Sequence, residues 1–280
     1  MTQSSSSPII DKGPKIGDLL LNGRYELLQQ VKGAVGRQRT YLGTKGVCRY
    51  CGTCDLSLFR KLAHTLPEAL GNKSVFSRDE CDRCNARIFS LYDEELTKAV
   101  SPFITLGGIE GKGNKVRATG RSSGGSFVEQ RRSGGKRSIF SASHAIDPKD
   151  AFAADATGRN IRLTTPIAPV PFKPRYAYKA LAKMGVALLP QEEIENYQKL
   201  ITWLLNPQDA EDFPVLEVGF SYGSVGNAPP FVTGQLFRRV KSDDCVPHIL
   251  FLFCAGSVCM QIDLLSDHME DHIPPAPRGQ

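Results

Sequence analysis

The sequence predicts an α+β fold: a small cysteine-framed module followed by a larger domain with a helix pair and an antiparallel sheet. Three observations carry this. Two Cys-x-x-Cys pairs lie within residues 48–84, two helical apolar stripes lie between Ala177 and Leu205, and short apolar or alternating segments broken by Gly, Pro and Asp run from Val215 to Leu264. At 280 residues, 41% hydrophobic and 23% charged, the chain is long enough for a small module joined to a larger one.

Residues 1–17 are Ser-rich without a periodic apolar pattern, which predicts a disordered lead-in. The module is expected over 18–100 and the C-terminal α+β domain over 101–280. Within 18–42 the apolar spacing is mixed, and Leu19–Leu21 and Tyr25–Leu28 fit either a strand or a helix. No run reaches the roughly 18 apolar residues of a membrane span. The start, Met1 to Ser7, lacks the basic-then-apolar order of a secretory signal, so the expectation is a cytoplasmic protein with no membrane partner.

Five of the eight cysteines lie between Cys48 and Cys84. That clustering favours a metal site over a disulfide scaffold. Cys48/Cys51 and Cys81/Cys84 each sit on a tight turn that can present two thiolates to one tetrahedral ion, which predicts a structural Zn. Cys54 could pair with Cys51, but the surroundings of Cys48-Arg49-Tyr50-Cys51-Gly52 suit a zinc knuckle better. Cys245, Cys254 and Cys259 are expected as small buried apolar side chains.

After the second pair, Phe89, Tyr92, Leu96 and Ala99 fall within about 40° of Asn85 at 100° per residue. This predicts a helix with Asn85 at the head of its buried stripe and Ser101-Pro102 at its end. Arg117, Arg121, Arg131, Arg132, Lys136 and Arg137 fall in a Gly/Ser-rich stretch with Glu129 as its one acid, read either as a solvated flexible loop or as a phosphate-tracking loop. The charge of +6 and pI near 8.9 permit a polyanion partner without requiring one.

The proline-rich connector Thr164–Pro174 leads to the helix pair. In the first helix Ala177, Leu181, Met184 and Leu188 share a face; in the second Ile194, Tyr197, Ile201, Leu204 and Leu205 do, and Asn206-Pro207 stops it. Strands are expected at Val215–Phe220, Phe231–Val240, His248–Cys254 and Val258–Leu264. His144 is expected in a loop, and His268 and His272 in an exposed acidic tail.

The order of cysteine pair, Phe59-Arg60-Lys61-Leu62-Ala63-His64-Thr65-Leu66-Pro67, Gly71-Asn72-Lys73, cysteine pair and Asn85 resembles the zinc-braced HNH endonucleases, the ββα-metal nucleases. The resemblance covers about Val47 to Leu96. It implies a metal-dependent phosphodiesterase cutting DNA, RNA not being excluded, with His64 as general base and a catalytic Mg or Mn held by Asn85. Asn72 corresponds to a loop asparagine that supports the hairpin. The position before the histidine, usually acidic or a second histidine, is Ala63 here, and Asp93 on the following helix is taken as the replacement ligand. Arg60, Lys61, Lys73, Arg131 and Arg132 are the candidate nucleic-acid contacts.

The segment from Pro171 to His268 resembles, more loosely, the extension behind such modules in bacterial proteins, which implies substrate engagement, self-association or docking within an anti-phage or mobile-element system. Ala63 leaves an alternative open: a zinc-containing nucleic-acid-binding or interaction module whose nuclease site has decayed.

Overall fold

The first described strand leaves its sequence neighbours and joins the far end of the chain. The computed structural model describes residues 23–34, 36–111, 113, 115–116, 127–133, 136–142, 152–154, 156–157, 161–163, 170–208, 217–222, 231–241 and 247–267. In it β1 (Tyr25–Ala34) pairs antiparallel with β10 (Phe231–Arg239), with a register irregularity between Leu27 and Gln29. β10 continues into β11 (Ile249–Ala255), β12 (Val258–Leu264) and β9 (Gly219–Tyr222), giving a five-stranded sheet in the order β1-β10-β11-β12-β9. All its pairings are antiparallel.

Alternation along β11 explains how this sheet works. Ile249, Phe251 and Phe253 point into the main core, whereas Leu250 and Leu252 point to the other side, where they join Tyr25 and Phe237. Cys254 and Cys259 face each other on that second side and form a disulfide, which corrects their expected role as free apolar side chains. Cys245 lies outside the described residues.

A second, three-stranded sheet holds β2 (Thr40–Leu42), β4 (Val75–Ser77) and β3 (Ala63–His64), in that order, with β3 antiparallel and β2 parallel to β4. The chain then makes a turn at Asp82–Cys84 and a π-helical turn at Asn85–Phe89 before α1 (Ser90–Gly107). Thus β3, β4 and the helix form a ββα unit.

Helix α1 runs straight through the predicted stop. Pro102 sits inside it, and the Lys98 carbonyl that Pro102 cannot serve accepts a hydrogen bond of 2.9 Å from the Ser101 hydroxyl. The residue pair read as a terminator therefore supplies its own repair.

Two further hairpins, β5 (Phe127–Ser133) with β6 (Lys136–Ala142) and β7 (Phe152–Ala154) with β8 (Ile161–Leu163), occupy the middle of the chain. The first corrects the expected loop: Arg131 and Arg132 lie on β5, opposite Ser138 and Arg137. The lead-in 1–17, Leu19–Leu21, Arg117, Arg121, residues 164–169, His144, His268 and His272 lie outside the described residues.

The first helix of the pair follows as expected, whereas the second is shorter, because Ile194 and Tyr197 lie on a 3-10 segment before it. α2 (Pro174–Leu188) begins with proline, where no intrahelical N–H partner is needed, and α3 (Gln198–Leu205) follows a 3-10 segment at Gln191–Tyr197. α2 buries every residue from Ala177 to Leu188, packing along α1 on one side and the five-stranded sheet on the other. One core cluster consequently contains Leu66, Phe89 and Leu96 as well as Leu181, Met184, Leu236 and Phe251. Each such buried side chain contributes roughly 1.5–3 kcal/mol relative to exposure. Among the described residues no helix is long and apolar enough to cross a membrane.

Lys179 and Lys183, one turn apart, are the exceptions on this apolar helix. The Lys179 ammonium caps α3 by donating to the carbonyls of Trp203 and Asn206, at 2.6 and 2.7 Å. Lys183 reaches the opposite way. It lies 3.1 Å from a Glu80 carboxylate oxygen and donates to the His64 carbonyl at 3.1 Å.

Asp93 is the third member of this buried charge group, and the Lys183 ammonium acts on it through space. Two carboxylates around one ammonium leave a negative charge uncompensated. Burial therefore pushes Glu80 up to about 7, against the pull of Lys183, and raises Asp93 as well. For Lys183, burial opposes the charge, but Glu80 and Asp93 outweigh it and hold the ammonium. Removing the shared cation by Lys183→Met should cost about 3–5 kcal/mol in thermal unfolding. Asp93→Asn, which removes the surplus charge, should cost about 1 kcal/mol or less. Equal losses for the two would contradict this arrangement.

Candidate metal centre

Two turns build the cysteine frame. In the first, the Gly52 N–H donates to the Cys48 carbonyl at 2.9 Å and the Cys48 N–H to the Thr53 carbonyl at 2.9 Å. Gly52 holds φ at 67°, a conformation that side chains with a Cβ resist. In the second, the Cys84 N–H points at the Cys81 sulfur at 3.5 Å, and the Asn85 N–H donates to the Cys81 carbonyl at 3.0 Å.

These turns bring Cys48 Sγ to 3.9 Å from Cys84 Sγ and Cys51 Sγ to 3.7 Å from Cys81 Sγ, with all four sulfurs within 4.8 Å of one another. Zinc–sulfur bonds of about 2.3 Å in a tetrahedron place sulfurs about 3.8 Å apart. Donor set and spacing both fit structural zinc, and four thiolates leave no coordination position for catalysis. Cys54 is exposed and stands outside the group. With no ion bound, the hydrogen bond between Cys48 and Cys84 pulls Cys48 down to about 4, while burial pushes Cys81 up to about 11.

The residues between the cysteines tie the centre to the rest of the protein. Arg49 forms a buried ion pair with Asp79 at 2.7 Å and donates to the carbonyls of Val186 and Leu189, at 3.2 and 2.6 Å, at the end of α2. A guanidinium there meets the negative end of the helix dipole. The Tyr50 hydroxyl donates to the Lys183 carbonyl at 3.0 Å. From the other turn, the Asp82 carboxylate accepts the backbone N–H groups of Arg60 and Lys61, at 3.2 and 3.0 Å, which anchors the chain entering β3.

On that strand His64 is half-buried, its ring 4.9 Å from that of Phe76. Burial lowers its pKa; Glu68 opposes this, and Lys183 and Lys73 add to it. Asn72 is fully buried and holds the hairpin: its amide donates to the carbonyls of Leu66 and Val75, both at 2.7 Å, while its oxygen accepts the N–H groups of Ser74 and Val75. A Cβ at Gly33 would run into this side chain, so β1 can lie against the hairpin only with glycine there.

Asn85 opens the π-helical turn and is half-buried. Among the described residues the four cysteines are the one group of three or more His, Cys, Asp or Glu side chains close enough to hold a metal. Asp93 faces the buried Lys183 group, with its Oδ1 enclosed and lacking a hydrogen-bond partner. The π turn explains part of this difference, because its wider winding breaks the uniform 100° projection drawn from Asn85. Ala63 is fully buried.

Arg60 and Lys61 are exposed beside the hairpin, and Lys73 is paired with Glu68 at 2.9 Å. Side chains of Arg131 and Arg132 lie outside the described residues. Arg49, Tyr50, Glu80 and Lys183 were not singled out by sequence reasoning. The signal for Lys183 was present: two lysines four residues apart inside an otherwise apolar helix must find buried partners.

Comparison with models of known families, with characterised proteins and with solved structures gives no match. The tetra-cysteine centre thus stands on its own geometry. Cys81→Ser should abolish zinc retention and remove binding free energy on the order of 10 kcal/mol from the module. Metal content read together with thermal unfolding checks this, and an unchanged transition in a zinc-free variant would refute a structural role.

Proposed function

We propose that the chain is a zinc-stapled ββα nuclease that hydrolyses DNA phosphodiester bonds with His64 as general base. The observation carrying this reading is the position of His64: at the end of the first hairpin strand, half-buried, with burial lowering its pKa below the ordinary value. A neutral imidazole can take a proton from attacking water. Asn72 keeps the hairpin in shape around it, and the exposed Arg60 and Lys61 flank the strand with positive charge.

Asn85 is the side chain assigned to a divalent ion, Mg²⁺ or Mn²⁺, and a single carboxamide matches an ion that keeps most of its waters. When bound, such an ion supplies charge stabilisation at the phosphate oxygens. Asp93, enclosed with Lys183, is left to the interface. A second reading, a module that binds DNA or RNA without cutting it, is favoured by Ala63, whose buried methyl replaces a ligand, and by the commitment of both nearby carboxylates to Lys183.

Plasmid cleavage with Mg²⁺ or Mn²⁺ separates the two. The first reading expects nicking by the native chain and a loss of about 100-fold or more in His64→Ala with zinc content unchanged. Equal cutting by both proteins contradicts the assignment, and binding without cutting by the native chain establishes the second reading. Only neutral His64 accepts a proton, and burial lowers its pKa below the ordinary value of about 6.5. The rate should therefore hold at that pH and fall only as the solution becomes more acidic.

A further inference from the structure

The three-stranded sheet turns outward a face built of rings and guanidinium planes. Tyr41 on β2 and His64 on β3 are both register partners of Phe76 on β4. Directly opposed residues project to the same side of a sheet. Tyr41 stacks on Phe76 with centroids 5.9 Å apart, and His64 follows 4.9 Å beyond. Arg78 lies over the Tyr41 ring at 4.3 Å and Arg39 over the Phe76 ring at 5.7 Å.

Tyr41, Arg39 and Arg78 are exposed, and neither arginine forms an ion pair with a described residue. Core formation does not account for them, since they stand on the solvent side of the sheet. From residue 36 to 78 the acids are Asp55 and Glu68, and Glu68 is tied to Lys73. Phe76 is buried between its neighbours, so the surface offers one exposed ring, Tyr41 with Arg78 over it, beside positive charge that no described acid pairs with. Its complement is a polyanion with exposed flat faces. In a duplex the base faces are covered by their stacked neighbours, whereas a single strand presents them.

We propose that this sheet face is a stacking platform for single-stranded DNA, with Tyr41 beneath a base and Arg39 and Arg78 on the neighbouring phosphates. The choice of DNA rests on the functional reading above; the single-stranded form rests on the sheet alone. A strand laid here would pass beside the His64 ring. Binding without cleavage leaves the platform intact as a proposal, so its failure and that of the nuclease reading are separable.

The test is fluorescence anisotropy of the zinc-loaded full chain with labelled oligothymidine, a duplex of the same length and oligouridine. Oligothymidine should bind most tightly. Tyr41→Ala should weaken it about tenfold, and Tyr41→Phe should restore it, because stacking needs the ring and not the hydroxyl. Replacing Arg39 and Arg78 together by alanine should reduce the log–log salt slope by about 1.4. Unaltered binding by Tyr41→Ala, failure of Tyr41→Phe to restore it, or an unchanged salt slope would overturn the platform, as would tighter binding of duplex or oligouridine, or no binding of oligothymidine. Should Tyr41→Ala lose zinc, Tyr41→Phe and the arginine pair decide the matter.

Discussion

Four cysteine sulfurs drawn into one tetrahedron are the constraint from which the rest of the module follows. They join residues 48–51 to residues 81–84, and so close the loop that carries the hairpin. The two turns also project side chains outward: Arg49 and Tyr50 reach carbonyls on or just beyond α2, and Asp82 holds the backbone leading to His64. An ion held there would add its binding free energy to the core that this segment shares with α2 and the large sheet.

Helix α2 answers the clasp with a buried cation. Lys183 returns from the C-terminal half to Glu80, next to Cys81, and to the carbonyl of His64. Buried charges of this sort contribute little net stability, since desolvation offsets their attraction, but an unpaired one is costly. Their effect is geometric: the hairpin, α1 and α2 are set so that the Lys183 ammonium meets Glu80 and Asp93 together. The paired Arg49 and Asp79 impose a second such condition a few residues away. The strand carrying His64 is thereby tied to a helix from the other end of the chain.

The parts legible in the sequence were those with local rules. Cysteine spacing located the metal centre, period 3.6 located the helix pair, and alternation located β10, β11 and β12 within a residue or so. What escaped depended on partners far away or on small local exceptions. Tyr25–Ala34 finds its strand partner some two hundred residues on, at Phe231–Arg239. The π turn at Asn85–Phe89 changes the winding just where Asn85 was to head the stripe of Phe89, Tyr92, Leu96 and Ala99, and the Ser101 hydroxyl lets the helix continue past Pro102. The Cys254–Cys259 pairing needed the hairpin register before it could be seen.

The chemical identity of the clasp is tested most directly by zinc-edge X-ray absorption of the purified chain. One zinc per chain with four sulfur neighbours at about 2.3 Å is the expected result. A mixed shell containing nitrogen or oxygen, or a folded chain that carries no zinc at all, would contradict it.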